Sequence, residues 1–147
     1  MDPARLAELE RRLGHRFADA GLLERALTHA SWANEHPPAA HHEGLAFLGD
    51  AALALAVAER LLEAEPAAPV GVLTPRRAAL VSGERLAGWA RGLELGALVR
   101  LGRGEEQTGG RDRESILATT LEAVLGVVYV DGGVAAMRRV VGRLAAW

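Results

Sequence analysis

Glu43-Gly44-Leu45-Ala46-Phe47-Leu48-Gly49-Asp50-Ala51-Ala52-Leu53 is the stretch on which the fold turns. It reads as the opening of a long apolar helix that continues through Leu55, Val57 and Ala58 to Leu61 and Leu62. Two carboxylates interrupt that surface, Glu43 and Asp50, at positions i and i+7. Seven residues is close to two helical turns, so both point nearly the same way, with a drift of about 20°. An acid inside an apolar helix costs solvation energy unless something pairs with it. Asp50 therefore asks for a metal ion, a cation or a hydrogen-bond donor. Beside it, Gly49 lets another helix or a ligand approach the backbone closely.

The rest of the composition agrees with helices. The chain has 147 residues, enough for one domain with a real core, and 50% of them are hydrophobic. Alanine and leucine dominate while aromatics are scarce, which favours helix over sheet. Cysteine is absent, so disulfides and thiolate metal sites are excluded and a reducing compartment is the default. No charge-free apolar run reaches about 18 residues, and no basic-then-apolar leader opens the chain. The expectation is a soluble cytoplasmic protein with no membrane partner. Net charge is −2, so overall charge neither invites nor excludes a nucleic acid. Every basic residue other than histidine is arginine, the better fork for phosphate.

Outward from the central stretch, the pattern continues as one all-α domain over residues 1–147. Residues 3–13 form an amphipathic helix with Pro3 in its first turn and Gly14 at its end. Asp19 to about Thr28 is a second helix with Leu22, Leu23, Ala26 and Leu27 on its apolar face. His29 and Trp32 follow; they read as a hydrogen-bonded buried histidine and a core tryptophan before they read as a site. His36, His41 and His42 lie in a loop with Pro37 and Pro38, where a solvated loop outweighs a metal site. A second Pro/Gly loop spans Glu65 to Gly71, and Thr74-Pro75 reads as the cap and first turn of a helix carrying Arg76 and Arg77.

Residues 102–114 are polar, glycine-rich and nearly free of apolar anchors, which predicts a mobile surface loop. It carries Arg103, Arg111 and Arg113, with Arg100 at its base. A solvated linker and an arginine loop for phosphate contact are equally good readings. A last long helix runs from about Glu114 to Tyr129, with Asp131-Gly132-Gly133 ending it and a closing helix after Val134. Glu122 is a single acid in that apolar helix, and Thr119 shares its face three residues earlier.

Glu43, Asp50 and Glu122 are the one constellation that looks like chemistry. If the two helices cross, Asp50 and Glu122 can meet and hold a hard cation. Magnesium suits one or two carboxylates completed by waters and phosphate oxygens, and it would act on a phosphodiester. No Cys/His zinc spacing, Walker loop or GxSxG elbow competes.

Several separated segments then resemble the ribonuclease III catalytic domain in order and spacing. They are Leu27 to Glu35, Glu43 to Leu53, Gly71 to Pro75 with Leu80-Val81-Ser82, and Glu114 to Gly133. The resemblance covers nearly the whole chain. It implies an all-α homodimer whose signature helices meet at a twofold axis, a valley for double-stranded RNA, and magnesium-dependent cutting of one strand by each protomer. Manganese is the expected substitute ion.

The departures from that family are specific. Its signature reads Glu-Arg-Leu-Glu-Phe-Leu-Gly-Asp, whereas here Gly44 replaces the arginine and Ala46 the second glutamate, a metal ligand. Thr119 replaces another metal-site aspartate, and Val70 stands where many members place a glutamate. Asp50 and Glu122 remain of four principal carboxylates, with Glu43 beside them. Two expectations follow. One is an active enzyme similar to the Mini-ribonuclease III branch, which also reads Leu-Ala before its Gly-Asp-Ala, has a threonine three residues before its glutamate, and lacks a double-stranded RNA-binding domain. The other is a pseudoenzyme that keeps the fold as an RNA-binding or ribosome-associated dimer. In the first, Asp50 and Glu122 hold magnesium, Glu43 orients water or a second ion, and Arg103, Arg111 and Arg113 contact phosphates. Arg100, Arg76 and Arg77 are further candidates, and no double-stranded RNA-binding domain is expected.

Overall fold

The computed structural model describes residues 1–146, and they form a helical bundle. The first helix, α1 (Pro3–Leu13), is opened by Asp2, whose side chain accepts from the Ala4 N–H, and closed by Gly14 at φ 66°. Glycine is needed there because a side chain at a left-handed position is strained. Asp19 caps α2 (Ala20–Ala26) through the N–H groups of Gly21 and Leu22. His29 caps the short α3 (Ala30–Glu35), its Nδ1 accepting from the Ser31 N–H at 3.1 Å.

The signature stretch opens α4 (Glu43–Ala64), whose buried residues Leu45, Ala46, Gly49, Ala52, Leu53, Ala56 and Val57 recur on one side. Next, α5 (Val70–Leu80) begins at Pro69 and carries Pro75 inside it. The expected start at Thr74-Pro75 is therefore corrected: the helix begins five residues earlier, with Pro69 in the cap position. Gly71, whose carbonyl Pro75 leaves without a donor, is exposed to water, which lowers the cost of an internal proline. No residue of α5 is buried. Ser82 caps α6 (Gly83–Gly92) by accepting from the Arg85 N–H.

The stretch expected as a mobile loop is also corrected. Residues Arg103–Gln107 form the short helix α7, and Gly110–Asp112 form a 3-10 turn. Arginine forks replace the missing apolar anchors. Arg111 Nη1 donates to the carbonyls of Gly96 (2.8 Å) and Val99 (2.7 Å), and Arg113 pairs with Glu105 and donates to the Thr108 carbonyl.

The last element, α8 (Glu114–Leu144), is broken by Gly133 at φ 65°, ψ −158°, close to the expected end at Asp131-Gly132-Gly133. It is long and apolar enough to cross a membrane by length and composition, yet more than half of that stretch packs inside the protein. Leu117, Leu121, Val124, Leu125 and Val128 of α8 meet Leu45, Leu53 and Val57 of α4 in the main core, with Leu9 and Leu13 of α1 and Leu86 of α6. Each buried leucine contributes roughly 1.5–3 kcal/mol. No strand occurs among the described residues; Thr28 and Arg100 form a single parallel bridge.

Arginines also close helix ends at a distance. Arg143 of α8 donates to the Arg11 and Arg12 carbonyls at the end of α1, and Arg12 donates to the Gly92 carbonyl at the end of α6. These forks satisfy carbonyls that a helix terminus leaves unpaired.

Candidate active site

The crossing of α4 and α8 is set by two glycines. A Cβ on Gly49 would lie 1.7 Å from the Glu122 carbonyl oxygen, and one on Gly126 would lie 2.3 Å from the Leu45 carbonyl oxygen. Only backbone against backbone fits such an approach. The consequence is chemical, because Asp50 follows Gly49 and Glu122 faces it. Their side chains come together at the edge of the crossing, Glu122 half-buried and Asp50 exposed. Burial, then hydrogen bonding with Asp50 and the charge of Asp50, push the Glu122 carboxyl up to about 7. Two carboxylates this close favour a shared proton or a bound cation over two free negative charges.

The remaining predicted acid stands apart. Glu43 sits exposed in the first turn of α4, its Oε2 3.9 Å from His41 Nδ1. Among the described residues no group of three or more Asp, Glu, His or Cys side chains is placed to hold one ion together. Ala46, 7% exposed, and half-buried Thr119 lie one turn before Asp50 and Glu122 respectively and add no charge. Val70 is 74% exposed on α5. At Gly44 the structure adds a residue that sequence reading missed. A Cβ there would meet Arg25 Nη2 at 3.0 Å, and Arg25 Nε donates to the His41 carbonyl at 3.0 Å. The space over the start of α4 thus holds a guanidinium reaching from α2. Nothing in the local sequence around Arg25 signals this.

The predicted cations divide sharply. Arg100 pairs with Glu24 at 2.7 Å, Arg111 with Glu106 at 2.6 Å, Arg113 with Glu105, and Arg76 with Glu65. These four are engaged within the fold. Arg77 and Arg103 are exposed, and neither guanidinium has a partner among the described residues. Arg16, Arg85 and Arg139 share that condition, and none of the three was picked out from the sequence.

The histidines correct another expectation. His42 is no solvated loop residue; it is 2% exposed, and neither ring nitrogen has a hydrogen-bond partner. Burial, then the nearby His29 and His41, hold its pKa down to about 4. His29 is half-buried and hydrogen-bonded, as its sequence context suggested. Trp32 is half-buried and stacks with His36.

An all-helical domain with paired carboxylates at a glycine crossing defines the class. The sequence pattern of the Ribonuclease-III-like family matches residues 19–146, and the chain belongs to that family. It is 51% identical over 138 residues to Ribonuclease 3 of Nitratidesulfovibrio vulgaris, covering 93% of this chain and 54% of that protein. It is 53% identical over 136 residues to Ribonuclease 3 of Streptomyces coelicolor, covering 92% and 49%. The chain therefore spans about half the length of these curated relatives. The nuclease domain of ribonuclease III from Campylobacter jejuni superposes with a TM-score of 0.86 at 36% identity, covering 93% of both chains. That structure is described as showing flexibility in a region involved in dimer formation.

Proposed function

We propose that this chain is an endoribonuclease that hydrolyses phosphodiester bonds of double-stranded or structured RNA, with Asp50 and Glu122 as its metal-holding pair. The observation that carries the reading is the meeting of these two acids at the Gly49/Gly126 crossing, where burial first and then the neighbouring Asp50 raise the Glu122 carboxyl. A divalent ion relieves the repulsion between the two acids, so the donor set fits magnesium, or manganese in its place. Bound there, the ion supplies Lewis-acid stabilisation of phosphate charge and an activated water. Asp50 and Glu122 hold and orient it, and Glu43 at the rim of α4 directs water toward the scissile phosphate.

Of the arginines singled out in the sequence, Arg77 and Arg103 are free to meet RNA phosphates; Arg76, Arg100, Arg111 and Arg113 join only by exchanging an acidic partner. RNA affinity is then modest and falls steeply with salt. Recognition rests on A-form shape more than on base edges. The domain works as a homodimer in cytoplasm: Phe47 (84% exposed) and Leu55 on α4, with Val70 and Val72 on α5, form the apolar face a second copy covers. The Mini-ribonuclease III pattern at Ala46 and Thr119 supports catalysis by a reduced acid set. Residues 1–147 make up one nuclease domain.

A second reading has its own observation. With no third acid beside Asp50 and Glu122 among the described residues, a pseudoenzyme that binds RNA without cutting it accounts for Ala46 and Thr119. The test is cleavage of a labelled duplex RNA at low salt with magnesium or manganese, comparing wild type, Asp50→Ala and Glu122→Ala. Metal-dependent cutting by the wild type, lost in both variants, is expected. Duplex binding with no cutting in either metal moves the assignment to the pseudoenzyme.

A further inference from the structure

Away from the acid pair, the C-terminal end of α3 carries an aromatic assembly that the proposed cleavage chemistry does not use. The His36 imidazole lies on the Trp32 indole with ring centroids 3.9 Å apart and planes 11° from parallel. Arg100 places its guanidinium 4.0 Å from the Trp32 ring centroid. The base of this assembly is fixed. Arg100 Nε and Nη2 donate to Thr28 Oγ1 at 3.0 and 2.6 Å, and Nη1 donates to Glu24 at 2.7 Å. The top is fixed too, because His36 Nδ1 donates to the Trp32 carbonyl at 2.9 Å and so sets the ring's orientation. Yet His36 as a whole is exposed. A flat ring is held rigidly with a face in solvent.

The start of α7 docks along α3, from Ser31 near its beginning to Glu35 at its end. Gly102 N–H donates to Ser31 Oγ at 2.8 Å, and a Cβ on Gly102 would lie 2.7 Å from the Ser31 carbonyl oxygen. Arg103 N–H donates to Glu35 Oε1 at 2.9 Å, which roots the Arg103 side chain, with its unpaired guanidinium, beside the residue preceding His36. Glu35 is an acid at this spot, and one of its oxygens is committed to that backbone N–H. A rigid exposed ring next to a free guanidinium matches the two parts of a nucleotide, a base that stacks and a phosphate that pairs.

The geometry points to a subsite for a single unpaired nucleotide of RNA, its base on the outer face of His36 and its phosphate at Arg103. This inference rests on the RNA reading above and adds to it a second place of contact. A base paired within a duplex cannot offer its face, so the subsite discriminates RNAs that carry an unpaired nucleotide from blunt duplexes.

The test measures binding of two RNAs with the same duplex, one blunt and one with a single 2-aminopurine overhang, to the whole chain at low salt. Stacking on an aromatic ring strengthens binding of the overhang RNA by about 5- to 100-fold and quenches 2-aminopurine fluorescence. His36→Ala abolishes both effects and leaves blunt-duplex affinity and the melting midpoint unchanged, whereas His36→Phe keeps them. Arg103→Ala weakens the overhang RNA more than the blunt one. Equal binding of the two RNAs by the wild type, or an overhang preference that survives His36→Ala, overturns the subsite and leaves the RNA reading standing. Absence of binding to either RNA overturns both.

Discussion

Gly49→Ala tests how the acid pair is held. The new Cβ would sit 1.7 Å from the Glu122 carbonyl oxygen, 2.7 Å from its carbonyl carbon and 2.8 Å from the Gly126 nitrogen. Ordinary contact begins near 3.4 Å, so the shortfall is about 1.7 Å against backbone, which has no rotamer to change. The two helices must separate, and the core between Leu45, Leu53, Leu121 and Leu125 opens with them. Overpacking typically costs about 1–3 kcal/mol, and a backbone clash on both sides puts this case at about 3 kcal/mol or more. For a chain of this size that lowers the melting midpoint by roughly 6–12 °C. Gly88→Ala is the matched control, because a Cβ there meets nothing within 4 Å in the middle of α6. It should gain about 0.5–1 kcal/mol from helix propensity and melt slightly higher. Far-UV circular dichroism melts at one protein concentration compare the three proteins, since association would shift the midpoint. A Gly49→Ala midpoint within about 2 °C of wild type would refute the close crossing, and with it the reason Asp50 meets Glu122.

Two further outcomes are expected. Burial holds His42 down to about 4 in the fold against an ordinary histidine value of 6.5, so the unfolded chain binds a proton that the folded chain refuses. Its contribution is fully present above pH 6.5 and is lost as pH falls toward 4, by about 3 kcal/mol in total and about 2 kcal/mol by pH 5. Urea unfolding at pH 7.5 and pH 5 should show a larger loss for wild type than for His42→Leu, and equal losses would sink the idea. Phe47→Glu should convert a dimer to a monomer in sedimentation, since two copies each lose roughly 1.5–3 kcal/mol of apolar burial. An unchanged mass would place the contact between copies elsewhere.

The site's core was legible because backbone packing and chemistry share adjacent residues. Gly49 signals a close approach and Asp50 signals a need for a partner, so a reader of the sequence expects the crossing that Glu122 completes. Residues 102–114 were not legible for the opposite reason. Their anchors are arginine forks to Glu105, Glu106 and distant carbonyls, and a composition of glycine and charge gives no hint of which arginine finds which acceptor. Thr74-Pro75 misled because threonine before proline mimics a capped start, while Pro69 supplies the real one. The burial of His42 has no local sign at all; only the packed ends of α2 and α3 produce it.

Helix α5 has a thermodynamic peculiarity that follows from its having no buried residue. The apolar surface its opening newly exposes is limited mainly to half-buried Leu73 and Leu80, so the free energy of that opening should respond only weakly to denaturant. Amide exchange along residues 70–80 then proceeds by local fluctuation, on a clock separate from global unfolding. The helix draws its order from Leu80 against the main core, from the Arg76–Glu65 pair and from whatever covers Val70 and Val72. Exchange at α5 is thus a gauge of occupancy, slow when that face is covered and fast when it is bare.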